Sequence, residues 1–255
     1  MKLKTLTWNI GGGKTLADGA DPTLISSYSV DGLQDINNLI KTESPDIITL
    51  NEAHKDVTYD QVKDIAEHLG YDYFVHDSTS PSHIDTSMQL GHGIISRYPI
   101  ISHKTELFSN PNLSVEWEDG SIASSFDKGF TTCEIDVNGE VIAITTLHLV
   151  PFRRFNVAPG THTFTKVLED VSQSINTRAE RWIIQGDFNI DSPTLREYFP
   201  SLFINLEEVT QGVPTTPKNR KYDHVLYRGL KYLSQKVDNT VLTDHYPVMT
   251  EFEVN

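Results

Sequence analysis

Short apolar runs of strand length recur along the chain and alternate with stretches of helical periodicity. The predicted strands are Leu3–Ile10, Asp46–Leu50, Tyr71–His76, Gly93–Tyr98, Thr131–Val137, Val141–Leu149, Arg181–Gln185, Tyr222–Tyr227 and Val248–Val254. The predicted helices are Val30–Thr42, Thr58–Leu69 and Phe164–Thr177. Helices placed between strands favour an α/β (α+β) fold in which mixed sheets are covered by helices.

Two local signals refine this arrangement. Asn138-Gly139 lies between two predicted strands and predicts a type I′ turn, so these strands are expected to pair antiparallel. Ser192-Pro193 combines a favourable N-cap with proline at the first helical position, which predicts a short fourth helix. No linker rich in glycine, serine or proline divides the 255 residues, and we predict a single domain over residues 1–255.

Composition narrows the functional classes. The formal net charge of −14 opposes non-specific binding to a nucleic-acid backbone, because such binding depends on Lys and Arg. A divalent cation held by clustered carboxylates would reverse the local field and admit a phosphate substrate. The chain has no run of about 18 apolar residues, no apolar signal-peptide core near its start, and one cysteine, Cys133. These features predict a reduced, cytoplasmic protein with no membrane span and no obligate protein partner.

Polar side chains follow several predicted strands at the point where each strand ends. They are Asn9, Glu52, His148, Asp187, Asn189, Asp223, Asp244 and His245. Each alone is compatible with a turn cap, a solvated helix start or a hydrogen-bonded core histidine. Because strand ends in layered α/β folds converge on one edge, we expect these side chains to form one site. Oxygen-rich ligands of this kind suit Mg²⁺ or Mn²⁺ and not zinc.

The order of the motifs around these residues adds a resemblance. The segments "WN", "LNEAH", "TLHL", "GDFN", "YDHVLY" and "TDHYP" occur in this order. In this the chain resembles the endonuclease/exonuclease/phosphatase superfamily, the relatives of DNase I, exonuclease III and sphingomyelinase. The resemblance extends from Trp8 to the last strand and implies a four-layer α/β/β/α sandwich with two central mixed β-sheets. Asn51 and Thr243 stand where members often carry Gln and Ser, which removes no ligand.

The resemblance implies a metal-dependent phosphoester hydrolase and a role for each matched residue. Glu52 is expected to be the principal Mg²⁺ ligand, with Asn9 and Asp244 near the ion. Asp187 is expected to orient and deprotonate the water that attacks phosphorus. Asn189 is expected to hold a phosphate oxygen or to fix that water.

The matched histidines are expected to act on the phosphate. His245 should donate to the phosphoryl oxygens, with Asp223 hydrogen-bonded to its other ring nitrogen to set the tautomer. His148 should contact the phosphate or protonate the leaving group. Together with the metal, these groups would stabilise the negative charge that develops in the transition state.

The identity of the substrate is predicted from weaker sequence signals. Arg153 and Arg154 follow His148 closely and are predicted to bind substrate, although a solvated loop explains them equally well. Phe152 and Phe155 either stack on a base or sugar or pin the loop. A second basic group either contacts another phosphate or lies on a surface loop; its members are Lys218, Arg220 and Lys221.

Three hypotheses from different classes remain open at this point. A Mg²⁺-dependent nuclease or other nucleic-acid phosphodiesterase is the first, from the superfamily and the loop arginines. A phosphatase or phosphodiesterase for small phosphorylated metabolites, inositol lipids or sphingolipids is the alternative, which the acidic charge favours. A non-catalytic binding module is the third, and it is disfavoured because the chain keeps every catalytic residue of the motifs.

Overall fold

The computed structural model describes residues 1–116, 120–209 and 212–254, and two large β-sheets dominate it. The described strands are β1 (Lys2–Asn9), β2 (Lys14–Leu16), β3 (Tyr28–Asp31), β4 (Ile47–Lys55), β5 (Tyr73–Pro81), β6 (Gln89–Ser96), β7 (Ile100–Leu107), β8 (Ser114–Glu116), β9 (Ile122–Ser124), β10 (Gly129–Val137), β11 (Glu140–His148), β12 (Arg181–Asp187), β13 (Glu207–Glu208), β14 (Asp223–Arg228), β15 (Lys231–Val237) and β16 (Val248–Glu253). The described helices are α1 (Leu33–Glu43), α2 (Gln61–Leu69) and α3 (His162–Ser174). The longest of them has 13 residues, so no membrane-spanning helix is present in the described ranges.

Each large sheet has six strands and mixes parallel with antiparallel pairs. The first sheet has the order β15-β16-β1-β4-β6-β5, in which only β1 and β4 run parallel. The second sheet has the order β13-β14-β12-β11-β10-β7, in which only β11 and β12 run parallel. Because β1 pairs with β16, with Lys2 opposite Glu253, we propose that residues 1–255 form one domain.

Three apolar clusters define four layers. α1 and α2 cover the outer face of the first sheet, where Ile36, Ile40, Val62 and Ile65 pack with Leu6, Trp8, Ile48 and Leu50. The inner faces of the two sheets pack on each other through residues that include Leu3, Ile47, Ile94, Cys133, Ile144 and Ile183. α3 covers the outer face of the second sheet, where Val167, Leu168 and Val171 pack with Ala143, Trp182 and Ile184. The expected α/β/β/α sandwich with two central mixed sheets is thereby confirmed.

A row of buried polar side chains crosses the apolar space between the two sheets. Gln185 of the second sheet accepts a hydrogen bond from Thr5 Oγ1 at 2.9 Å. The amide nitrogen of Gln185, Nε2, donates to Leu6 O at 3.1 Å and to Thr49 Oγ1 at 3.0 Å. Asn51 of the first sheet donates to Thr146 Oγ1 of the second at 3.2 Å. These bonds satisfy polar groups that would be costly to bury alone, and they fix how the sheets face each other.

The turn between β10 and β11 agrees with its sequence, whereas the predicted fourth helix is wrong. Asn138 and Gly139 have φ values of 58° and 93°, as a type I′ turn requires. After Ser192-Pro193 the described chain forms turns and only a short 3-10 segment at Leu202–Ile204. The hydroxyl of Ser192 donates to Thr194 O at 2.6 Å, so a local side-chain bond engages a carbonyl that a helix would use for its own ladder.

The start of α2 is tied to the first sheet by Asp60. Its carboxylate accepts from the Lys63 backbone N–H at 3.1 Å, as an N-cap, and from His76 Nδ1 at 2.7 Å. Lys55 Nζ lies 3.1 Å from its second oxygen. Burial opposes ionisation here, but the bonds from His76, Lys63 and Lys55 hold the pKa of Asp60 well below its usual range.

Asp60→Ala is expected to lower the free energy of unfolding by about 2 kcal/mol, because it removes a helix cap and leaves His76 without its partner. Asp60→Asn retains a capping oxygen and should cost less. Because the folded-state pKa is depressed, the stabilisation by the charge is present above the unfolded-state pKa of about 3.9 and is lost as the pH falls below it. Urea denaturation across this pH range measures both effects. A loss at neutral pH no larger than that of exposed Asp72→Ala would contradict the assignment.

Candidate functional site

The predicted polar residues meet at one edge of the two facing sheets. Asn9, His148 and Asp187 are the last residues of β1, β11 and β12, and Asp223 is the first residue of the antiparallel β14, opposite Asp187. Glu52 lies in β4 at a register shift between Asn51 and Ala53, where its backbone has the left-handed φ of 55°. Asp244 and His245 precede β16, the antiparallel neighbour of β1. The structure therefore brings the eight strand-end residues to one region.

Backbone geometry around Asp187 fixes its carboxylate. Gly186 has a φ of 149°, and a Cβ there would lie 2.3 Å from Leu147 O, so only glycine fits this close approach of two strands. The backbone N–H of Asp187 donates to Asn51 Oδ1 at 3.1 Å, and that of Asn189 donates to Asp187 Oδ1 at 2.8 Å. Asn189 also donates from Nδ2 to Leu149 O at 2.9 Å. One carboxylate oxygen, Oδ1, is thus used to shape the turn.

The other oxygen of Asp187 faces two histidines and an amide. Oδ2 accepts from Asn9 Nδ2 at 3.2 Å and lies 3.4 Å from His148 Nε2 and 3.6 Å from His245 Nε2. Burial raises the pKa of Asp187 to about 7, and Asp223 adds to this while His245 opposes it. A carboxylate with a pKa near 7 is suited to exchange a proton at neutral pH.

His245 is held by a buried carboxylate on its far side. Asp223 Oδ2 lies 2.8 Å from His245 Nδ1, and both side chains are buried. Burial alone would lower the pKa of His245, but the charges of Asp223 and Asp187 hold it well above its ordinary value. This shift favours the protonated ring, whose Nε2 lies 3.6 Å from Asp187 Oδ2.

The loop that carries His245 is fixed by Trp8. The indole Nε1 donates to Thr243 Oγ1 at 3.0 Å and to His245 O at 2.9 Å. Thr243 in turn donates to Asn9 O at 3.0 Å. The tryptophan that precedes Asn9 thus connects β1 to the segment that holds Asp244 and His245.

Lys128 is a site residue that the sequence analysis missed. Its Nζ lies 3.0 Å from His148 Nδ1 and 3.9 Å from Glu52 Oε1. Burial lowers the pKa of Lys128, and the charge of Glu52 opposes this shift. Burial and the neighbouring Lys128 also hold the pKa of His148 well below its ordinary value, so its imidazole is neutral.

The hairpin register gives a signal that locates Lys128. Counting outward from the Asn138-Gly139 turn places residue 129 opposite residue 148, and the observed register pairs Gly129 with His148. A lysine directly before this pair must lie at the same strand end as His148. The basic residue is therefore readable from the predicted turn once the hairpin is extended to its full length.

The donors around Glu52 fit a hard divalent cation. Glu52 Oε1 lies 3.8 Å from His148 Nε2 on one side of the site. Burial raises the pKa of Asp244, and the charge of Glu52 raises it further while His245 opposes the shift. A bound cation would stabilise the charge of Asp244 beside Glu52, and carboxylate oxygens of this kind match Mg²⁺ or Mn²⁺.

A second group of ligand atoms lies among the described residues. One atom each of Asp187, Asp223 and His245 falls within 4.8 Å of the others. The hydrogen bond between Asp223 and His245 already engages two members of this group. The oxygen-rich set of Glu52, Asn9 and Asp244 therefore fits Mg²⁺ better than the histidine-containing set does.

The loop after His148 exposes its arginines and buries its aromatic rings. Arg153 and Arg154 are exposed, whereas Phe152 and Phe155 are buried, and the Phe152 ring lies 4.6 Å from that of Phe164. The phenylalanines pin the loop and are not available for stacking on a substrate. Arg154 is close enough to influence the pKa of Lys128, which places it beside the site.

The second basic group is divided between structural and solvent-facing positions. Arg220 Nη1 lies 2.6 Å from Asp191 Oδ2, and Lys221 Nζ donates to Pro193 O at 3.0 Å. Both side chains therefore have structural partners. Lys218 is exposed and acts electrostatically on Asp244, so it is the member of this group that faces the site.

Comparison with known proteins agrees with this geometry. The sequence profile of the Endonuclease/Exonuclease/phosphatase family matches residues 6–245. A curated relative, a UPF0294 protein of Vibrio campbellii, is 27% identical over 123 residues, which cover 46% of this chain and 42% of the relative. The chain thus matches less than half the length of that relative.

Solved structures share the fold at low sequence identity. An endonuclease/exonuclease/phosphatase from Beutenbergia cavernae superposes with a TM-score of 0.75 and 20% identity, covering 100% of this chain and 72% of the other. D. rerio TDP2 complexed with single-strand DNA product superposes with a TM-score of 0.63 and 15% identity, covering 99% of each chain. With a profile match over nearly its whole length and the same sandwich of sheets, the chain belongs to the Endonuclease/Exonuclease/phosphatase family, whose members typically hydrolyse phosphoesters.

Proposed function

We propose that this chain is a divalent-metal-dependent phosphodiesterase that hydrolyses nucleic acid, with Mg²⁺ as the expected ion and Mn²⁺ as a substitute. One carboxylate oxygen carries this assignment: Asp187 Oδ2 lies 3.4 Å from His148 Nε2 and 3.6 Å from His245 Nε2. Such a group can take a proton from water while the neighbouring donors bind a phosphoryl oxygen. The similarity in fold to TDP2, whose structure contains a single-strand DNA product, supports nucleic acid as the substrate class.

In the proposed reaction each residue has a distinct task. Glu52, Asn9 and Asp244 hold the ion, which when bound supplies a positive charge next to the scissile phosphate. Asp187 accepts a proton from the attacking water. As the water oxygen bonds to phosphorus, the bond from phosphorus to the ester oxygen breaks, and the departing oxygen takes its proton from solvent. His245 donates through Nε2 to a phosphoryl oxygen, and Asp223 keeps the ring in the orientation and protonation state that this requires.

His148 and Lys128 complete the phosphate-binding side of the site. The pKa of His148 lies well below its ordinary value, so the neutral ring is suited to contact the phosphate and not to protonate the leaving group. Lys128, whose Nζ lies 3.0 Å from His148 Nδ1, brings a partly buried amine to the same place. Exposed Arg153 and Arg154 lie outside this pair and are suited to contact neighbouring phosphates of a longer substrate.

The substrate class is tested with a panel of compounds. It contains plasmid DNA, single-stranded DNA and RNA oligonucleotides, inositol phosphates, sphingomyelin and bis(4-nitrophenyl) phosphate, each assayed with and without Mg²⁺. Cleavage of the oligonucleotides supports the proposal. Turnover confined to inositol phosphates, lipids or small metabolites would replace it with the alternative that the net charge of −14 favours.

Removal of metal with EDTA is expected to abolish hydrolysis, and addition of Mg²⁺ or Mn²⁺ should restore it, because the donors are hard oxygens. Glu52→Gln should raise the Mg²⁺ concentration needed for half-maximal rate by at least about tenfold, since it removes a charged ligand. Glu67→Gln, at an exposed position of α2, serves as the matched control. Full turnover by metal-free protein would overturn the metal assignment.

His245→Ala is expected to reduce kcat by at least about 100-fold, the cost of losing a transition-state donor. Asp223→Asn should cost less, and the double variant should resemble His245→Ala, because residues that act as one unit are strongly non-additive. Measuring kcat together with a thermal melt for the three variants separates catalysis from stability. Additive losses in kcat would show that the two residues act independently.

Lys128→Met is expected to reduce kcat/KM by at least about tenfold, because a charge-assisted contact to phosphate is lost while the apolar stem is retained. The same variant should bind inorganic phosphate more weakly, measured as competitive inhibition. Lys104→Met on β7, whose side chain is 69% exposed, is the control. A variant with unchanged kcat/KM and phosphate inhibition would assign Lys128 to structure alone.

A further inference from the structure

Two aromatic rings from different loops stack on each other at the protein surface. His83 belongs to the loop between β5 and β6, and Phe126 belongs to the segment between β9 and β10. Their ring centroids are 5.7 Å apart and the ring planes differ by 27°. Both residues are exposed, with Phe126 at 38%, so the pair is not part of the apolar core.

The stacked pair lies beside the candidate active site. Phe126 is two residues from Lys128, which contacts His148. His83 lies within the electrostatic range of Glu52, Lys128 and Arg154. A substrate whose phosphate is bound by Lys128 therefore has these rings within reach of its neighbouring groups.

Both supporting loops are held in place by hydrogen bonds. Next to His83, the buried Ser82 Oγ accepts from the backbone N–H groups of Ile84 and Asp85, each at 3.0 Å, and lies 2.8 Å from His54 Nε2. On the other side, Asn110 Nδ2 donates to Ser125 O at 3.1 Å. The residues next to both rings are therefore anchored before any substrate binds, which reduces the entropic cost of binding.

The chemistry of the pair selects a neutral, planar partner. Loss of solvent around the ring lowers the pKa of His83, and Lys128 and Arg154 lower it further while Glu52 opposes the shift. A neutral imidazole and a phenyl ring offer flat faces on which a base can stack. Lys128 and Arg154 add positive charge nearby, which opposes a cationic headgroup such as choline and attracts the phosphates of a nucleic acid.

We propose that the His83–Phe126 pair is a stacking platform for an unpaired nucleobase next to the scissile phosphate, and that single-stranded nucleic acid is the preferred substrate. This inference rests on the proposed nuclease function and extends it to a specific binding contact. A paired base is covered on its faces by its neighbours in the duplex, so stacking on protein rings requires an unpaired nucleotide.

The test uses single-stranded oligonucleotides that carry either 2-aminopurine or an abasic residue beside the cleaved bond. Phe126→Leu keeps an apolar side chain and removes the ring, His83→Ala removes the second ring, and Tyr73→Leu is the control. Tyr73 is also partly exposed, but it lies at the other end of β5 from His83. Thermal melts verify that the exposed substitutions leave the fold intact. Binding is followed as quenching of 2-aminopurine fluorescence in the Asp187→Asn background, with the strand checked for cleavage.

With the 2-aminopurine strand, Phe126→Leu and His83→Ala are each expected to raise KM and Kd by about tenfold, on the scale of base–aromatic stacking. With the abasic strand, KM should change less than twofold in both variants, and Tyr73→Leu should have no effect on either strand. Asp187→Asn protein with both rings intact should quench the fluorophore. Equal losses for both strands, or the absence of quenching, would overturn the stacking platform while the nuclease function stands. If wild-type protein cleaves no oligonucleotide but cleaves another phosphoester of the panel, the nuclease function itself is wrong.

Discussion

The candidate site depends on a line of hydrogen bonds that joins the two sheets across their apolar interface. Gln185 links the second sheet to Leu6 and Thr49 of the first, and Asn51 makes the same connection one step nearer the strand ends. Asn51 then accepts from the Asp187 backbone, so the last bond of the line positions the central carboxylate. Apolar packing alone would let the sheets slide against each other, whereas directional bonds in a low-dielectric interior specify one alignment.

The parts of the fold that could be predicted from the sequence are those whose side chains are buried on a regular period. The central strands and the three helices follow from that period, and the type I′ turn follows from Asn138-Gly139. The strands β7 and β15 were missed because they lie at sheet edges, where exposed polar residues remove the apolar signal. The prediction of a helix after Pro193 was wrong because Ser192 bonds to the Thr194 carbonyl, an acceptor that a helix would use.

The residues of the candidate site also fall into those that could be predicted from the sequence and those that could not. Residues that end a strand, such as Asp187 and His148, could be identified from motifs, because the strand itself determines where they lie. His83 and Phe126 come from loops whose course depends on tertiary contacts, and neither belongs to a recognisable motif. Lys128 belongs to no motif either, but the register of the hairpin places it at the strand end of His148. The net charge averages over the whole surface, whereas phosphate binding depends on a few local cations, so the net charge alone does not decide what this site binds.

The pairing of β1 with β16 has a consequence for the order of folding. The hydrogen bond from Thr243 to Asn9 closes a separation of 234 residues, and Asp244 and His245 depend on this closure for their position. Contacts of such high sequence separation form late, because the entropy of closing the loop is lost before the contact stabilises it. During synthesis, a chain that has not yet emerged as far as β16 lacks both residues at the site. The geometry of the candidate site is therefore expected to be complete only after this long-range contact has formed, and not when the individual strands have formed.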